Sequence, residues 1–81
     1  MRFVKIGHSW FNISRIERIR GDSQADGGRY IPIVKVYLQG KTFYFDCEDI
    51  GIEPRYYFKE EDAYTFSETM VEKVLQSCKL I

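Results

Sequence analysis

Ile33-Val34-Lys35-Val36-Tyr37-Leu38-Gln39-Gly40-Lys41-Thr42-Phe43-Tyr44-Phe45-Asp46 is the stretch that decides the fold. Apolar and polar residues alternate on both sides of Gln39-Gly40, the period of a strand with one buried face. With Gln39-Gly40 as a two-residue turn, Leu38 faces Lys41, Val36 faces Phe43 and Val34 faces Phe45. Val34, Val36, Leu38, Phe43 and Phe45 then share one side, and Lys35, Tyr37, Gln39, Thr42 and Tyr44 share the other. A slip of one residue would set Val36 against Thr42 and Lys35 against Phe43, mixing the faces. The stretch specifies one hairpin in one register, and a sheet with one greasy face. It does not specify a chemistry.

On the N-terminal side, Phe3-Val4-Lys5-Ile6, the turn Gly7-His8-Ser9 and the returning Trp10-Phe11 suggest a smaller hairpin. Asn12-Ile13-Ser14-Arg15 reads as a tight turn or one helical turn, because Asn and Ser bond nearby backbone. Ile16-Glu17-Arg18-Ile19-Arg20 resumes as a strand. Gly21 to Arg29, all polar or small with three glycines, reads as a mobile loop. Pro32 cannot donate a ladder bond, so the strand that holds it begins at a sheet edge or a bulge.

On the C-terminal side, Cys47 to Pro54 is an acidic connector. Arg55-Tyr56-Tyr57-Phe58 fits a further short strand, and Lys59-Glu60-Glu61-Asp62-Ala63 an exposed polar segment. A helix is expected from about residue 66, with Ser67 as N-cap and Phe66 and Val71 as a hydrophobic staple, or with Thr65 and Glu68 as a capping box. Met70, Val71, Val74, Leu75 and Cys78 fall on one face of that helix. Strands first and one helix last point to an α+β domain. The expected form is a small antiparallel sheet of four to five strands with one C-terminal helix on its apolar face.

At 81 residues, 1–81 is a single domain, and 44% hydrophobic and 16% aromatic content argues against disorder. No leader-like apolar run and no stretch of about 20 apolar residues is present, which leads us to expect a cytoplasmic protein and no membrane span. Cys47 and Cys78 are then expected as reduced thiols. The net charge of zero conceals a split. Residues 1–45 carry eight basic against three acidic residues, +5, and residues 46–81 four against nine, −5. Such asymmetry hints at a charged partner, unless the halves interleave in space.

A family likeness rests on Asn12-x-x-x-Ile16-x-x-Ile19, Val36-x-Leu38-x-Gly40-Lys41 and Val71-Glu72-Lys73-Val74. This order resembles the small FlbD-like proteins, named for a bacterial flagellar regulator, and similar short proteins occur in bacteria and phages. The strand order is also similar to part of the LytTR family of DNA-binding domains. The resemblance covers roughly residues 3–45 and 66–78. It implies a small sheet-plus-helix domain with a regulatory or binding role.

Few residues suit catalysis. His8, the only histidine, sits in a turn beside Ser9, and adjacent turn residues rarely meet as nucleophile and base. Asp46, Glu48, Asp49 and Gly51 break the spacing of a calcium loop. Two cysteines and one histidine do not make a zinc site. The expectation is no catalytic residue, no metal and no cofactor. What remains is the polar side of the hairpin. Lys35, Tyr37, Thr42 and Tyr44 form a candidate partner-binding face, since Tyr is enriched at protein interfaces. Tyr56, Tyr57 and Phe58 could instead fold over that face and bury it. The leading expectation is a non-catalytic interaction or regulatory module that binds a protein partner or forms a homodimer through a sheet edge or this Tyr-rich face. The alternative is a nucleic-acid-binding domain using Arg15, Arg18, Arg20, Arg29, Lys35 and Lys41.

Overall fold

Val34 pairs with Phe45, Val36 with Phe43 and Leu38 with Lys41 in the computed structural model, which describes residues 2–79. The register is the one that the alternation dictates. Val34, Val36 and Phe45 are buried, and Leu38 and Phe43 pack against the same cluster. The five inward groups of the central ribbon therefore form the floor of the core.

Among the described residues there are five antiparallel strands, divided between two sheets rather than joined in one. Strands β1 (Phe3–Ile6) and β2 (Ser9–Asn12) pair only with each other. Strands β3 (Ile16–Asp26), β4 (Arg29–Leu38) and β5 (Lys41–Phe45) form the second sheet in that order. Between the sheets a 3-10 turn, Ile13–Arg15, is capped by Asn12, whose side chain accepts from the Ser14 amide. This turn swings the small hairpin over the apolar face of the larger sheet. There Val4, Ile6 and Phe11 are buried, and the Phe11 ring meets Phe43 and Phe45 edge-on at 5.1 and 5.9 Å. The alternate residues Phe3, Lys5 and Trp10 stay exposed.

The expected loop at Gly21–Arg29 is instead the extension of β3 and a tight hairpin. Asp26 pairs with Arg29 across Gly27-Gly28, both with positive φ (57° and 85°). A turn that needs positive φ at both central residues suits two glycines. Residues 22–26 are polar or small because most of this end of the ribbon faces water, and Gly21 is small where the helix packs on it. Pro32 fits without loss. Tyr30 exchanges both backbone bonds with Tyr57 (2.7 and 2.9 Å), so the even residues of β4 direct their amides away from β3. Beyond Phe45 no strand of the described residues lies on that side, and the Pro32 nitrogen needs no acceptor there.

The helix α1 (Glu60–Lys79) begins well before the expected residue 66. Glu60, Glu61 and Asp62 occupy its first turn, where carboxylates complement the helix dipole. Ser67 is therefore no cap. It lies fully buried in mid-helix, its hydroxyl donating to the Tyr64 carbonyl. The stripe that meets β3 and β4 is Ala63, Ser67, Met70 and Val74, at helical spacing. Val71 and Cys78 flank it, while Leu75, placed with them from sequence, is 41% exposed. Between β5 and α1 the connector forms one 3-10 turn, Glu48–Ile50. Arg55–Phe58 contributes only the single Tyr30–Tyr57 bridge, not a strand. No helix among the described residues is long and apolar enough to cross a membrane.

Candidate functional site

One face of the three-stranded sheet is closed by α1 and the β1–β2 hairpin. The opposite face collects the odd residues of β4 and their cross-strand neighbours. Lys35 stands between Arg20 and Tyr44, and Tyr37 between Arg18 and Thr42. The four candidate residues Lys35, Tyr37, Thr42 and Tyr44 therefore share one surface, and Arg18 and Arg20 join them there. Tyr44 is 61% exposed.

Tyr56, Tyr57 and Phe58 do not cover this surface. Tyr57 turns toward Phe66 on the helix, at 6.3 Å between rings. Tyr56 lies under the Arg29 guanidinium at 3.7 Å, at the far end of the β3–β4 ribbon. Phe58 is 88% exposed.

The cations of the face are not all free. Lys35 donates to Asp22 across a 2.6 Å ion pair. That hydrogen bond holds the Asp22 carboxyl below its usual range and raises the Lys35 ammonium above its own. The Lys35 Nζ also lies 5.7 Å from the Tyr44 ring centre, and the Arg18 guanidinium 5.9 Å from that of Tyr37. Both distances suit cation–π attraction.

The six cations of the nucleic-acid alternative do not converge. Arg18, Arg20 and Lys35 share the open face. Arg29 is 3.9 Å from Asp26 and stacked on Tyr56 at the Gly27-Gly28 end. Arg15 and Lys41 lie at the other end, where they border one shallow groove with Glu17. Lys41 follows the parity of Phe43 and Phe45, on the side away from Arg18.

The remaining chemistry-bearing residues have structural partners. Asp46 and Asp49 each accept the other's backbone amide at 3.0 Å, which fixes the acidic turn before Ile50. Cys47 and Cys78 are free thiols, both pushed upward in pKa by burial. His8 is exposed in the β1–β2 turn. Among the described residues no three His, Cys, Asp or Glu side chains gather as a metal site.

A second feature was not legible in the sequence. β3 is an edge strand of 11 residues. Because the odd residues of β4 bond to β3, the even residues of β3 bond back. Ile19, Gly21, Ser23 and Ala25 therefore direct their amides and carbonyls outward. The Ser23 amide is taken by the Asp22 side chain at 2.8 Å. The signs of charge also separate here. Arg18 and Arg20 stand on the open side of the sheet, while Glu68 and Glu72 are exposed on the helix behind it.

No protein-family model matches the chain, and no curated protein or solved structure shows detectable similarity to it. The likeness to FlbD-like and LytTR proteins thus rests on the sequence pattern alone.

Proposed function

We propose that this protein is a small non-catalytic interaction module of regulatory type, which holds a protein partner or a second copy of itself on the open face of its three-stranded sheet. The observation that carries this reading is the gathering of Lys35, Tyr37, Thr42 and Tyr44 on one surface flanked by Arg18 and Arg20, with Lys35 and Tyr37 half-buried and Thr42 and Tyr44 exposed, Tyr44 to 61%. Exposed Tyr beside Arg is the composition of interface anchors, and the rings are already held in place by neighbouring cations. Sedimentation over a wide concentration range, on the native chain and on Tyr44→Ser, tests it, together with cross-linking to candidate partners. Association that weakens in Tyr44→Ser supports the reading. A strict monomer that cross-links nowhere on this face refutes it.

The second reading, nucleic-acid binding, draws on the stacking-ready pairs Arg18–Tyr37 and Lys35–Tyr44. Against it, Lys35 is already neutralised by Asp22 and the six cations are dispersed. Mobility shift at low salt with duplex and single strands separates the readings. Binding that falls steeply with salt favours nucleic acid.

A further inference from the structure

The free edge of β3 faces α1 across an open groove of about 390 Å³. Four consecutive strand residues, Arg18, Ile19, Arg20 and Gly21, line one wall. Consecutive residues point to opposite faces of a sheet, so they can share a wall only if the groove looks onto the strand's edge. Tyr64, Glu68, Val71 and Glu72 line the other wall, one stripe of α1. Tyr64 also lines a second depression, of about 590 Å³, beside Ser23 and Phe58. Half-buried Ile19 and buried Gly21 line the groove, and the ladder register turns their amides and carbonyls to this side.

We infer that this groove accepts an extended peptide segment of a partner protein, with basic and acidic residues alternating, as an added strand beside β3. Strand addition takes its affinity from main-chain bonds and its selectivity from alternate side chains. Here the two sides differ in sign. Side chains of the incoming strand that point toward α1 meet Glu68, Glu72 and the Tyr64 ring, which select Lys or Arg. Those that point to the open side meet Arg18 and Arg20, which select Asp or Glu. The inference rests on the interaction-module reading and places a second contact on it, separate from the Tyr44 face.

A second copy of the chain is the competing occupant, and charge disfavours it. Antiparallel pairing of β3 with its copy brings two α1 helices side by side on one face of the continued sheet. Glu68 and Glu72 of both then crowd the symmetry axis. The nearest helix cation, Lys73, is turned away toward the Gly51 carbonyl at 3.4 Å. Like charges set together across an interface are costly. The acidic wall is thus a guard against edge-to-edge self-pairing and a selector for basic side chains.

The test is a titration of the labelled full chain with a synthetic peptide of alternating Lys and Glu, followed at the backbone amides. The expected result is that Ile19 and Gly21 shift and become protected from exchange. Methylating alternate peptide nitrogens in one phase abolishes binding, and in the other phase spares it. Glu68→Lys with Glu72→Lys weakens binding about tenfold, the worth of roughly two surface charge pairs. Both residues are exposed, so folding is retained. No shift at Ile19 and Gly21, or equal loss in both methylation phases, overturns the inference. So does concentration-dependent protection of these amides without peptide, which would make the occupant a second copy. Failure here with Tyr44-dependent association intact condemns only the groove. Failure of both condemns the interaction reading.

Discussion

Gly21 and Ser67 meet where α1 crosses β3, and no side chain fits between them. A Cβ on Gly21 would stand 3.0 Å from the Ser67 backbone carbonyl carbon and 3.0 Å from its Cβ. Backbone cannot swing aside as a flexible side chain can. The helix sits this close because the residues facing the sheet, Ala63 and Ser67, are small and fully buried.

Gly21→Ala is therefore expected to destabilise the fold by about 1–3 kcal/mol, the usual cost of overpacking. Alanine reduces the freedom of the unfolded chain, which works in the opposite direction but is smaller. Ser67→Ala, which removes only a hydroxyl already bonded within its own helix, should be close to neutral. Urea denaturation of the two variants checks this. A neutral Gly21→Ala would show that the contact is not tight.

The Lys35–Asp22 pair sets a pH signature. Asp22 has a folded pKa below its unfolded value of about 3.9, so its contribution is present above that value and fades as pH falls through the folded one. Lys35 has a folded pKa above its unfolded value of about 10.4, so the same contribution is present below that value and fades as pH rises through the folded one. The loss at either limit should be about 0.5–1 kcal/mol, the scale of a partly exposed pair. Asp22→Asn should flatten the acid limb. Identical acid limbs in the two proteins would dismiss the pair as a contributor.

Met70 and Leu75 should behave differently although both belong to the apolar periodicity of the helix. Met70 is fully buried and lies 3.8 Å, sulfur to sulfur, from Cys47. Met70→Ala should cost about 2–5 kcal/mol. Leu75 is 41% exposed, and Leu75→Ala should cost no more than about 1 kcal/mol. Thermal melts of the pair give the comparison. Equal costs would contradict the placement of the helix.

The thiols should resist modification in the folded chain, because burial raises both pKa values and the thiolate is the reactive form. Cys78 is half-buried and Cys47 buried, so Cys78 should alkylate first. Mass spectrometry of partially alkylated protein reads the order directly. Fast labelling of Cys47 would mean that the contact between the connector at Cys47 and Met70 of α1 opens readily.

The hairpin from Ile33 to Asp46 was legible because period-two alternation and a turn glycine act together there. The candidate face followed from the same alternation, which puts Lys35, Tyr37, Thr42 and Tyr44 on one side in any correct register. The extension of β3 was not legible. Asp22 to Asp26 carry no apolar alternation, since Asp22 pairs with Lys35 on the open face and Gln24, Ala25 and Asp26 are exposed. Gly27-Gly28 is a turn signal only once strands are assigned around it. The helix start was misplaced for a related reason. Ser67 looks like a cap in isolation, and Ala63 is too small to reveal a buried stripe. The joining of Arg18 and Arg20 to the face, and the groove behind Gly21, depend on how β3 aligns with β4 and where α1 comes to rest. No local pattern encodes either.

Each strand among the described residues pairs with a strand next to it in sequence, through turns of two residues at Gly7-His8, Gly27-Gly28 and Gln39-Gly40, although β2 and β3 do not pair. Two distant closures complete the fold, the β1–β2 hairpin on Phe43 and Phe45 and the return of α1 onto β3 and β4. Hairpins form in microseconds, so the slow and decisive step of folding should be the docking of α1. A nascent chain that has emerged only as far as the connector has its ribbons formed but Val34 and Val36 bare. Its vulnerability to aggregation is concentrated in that interval and ends when the helix arrives.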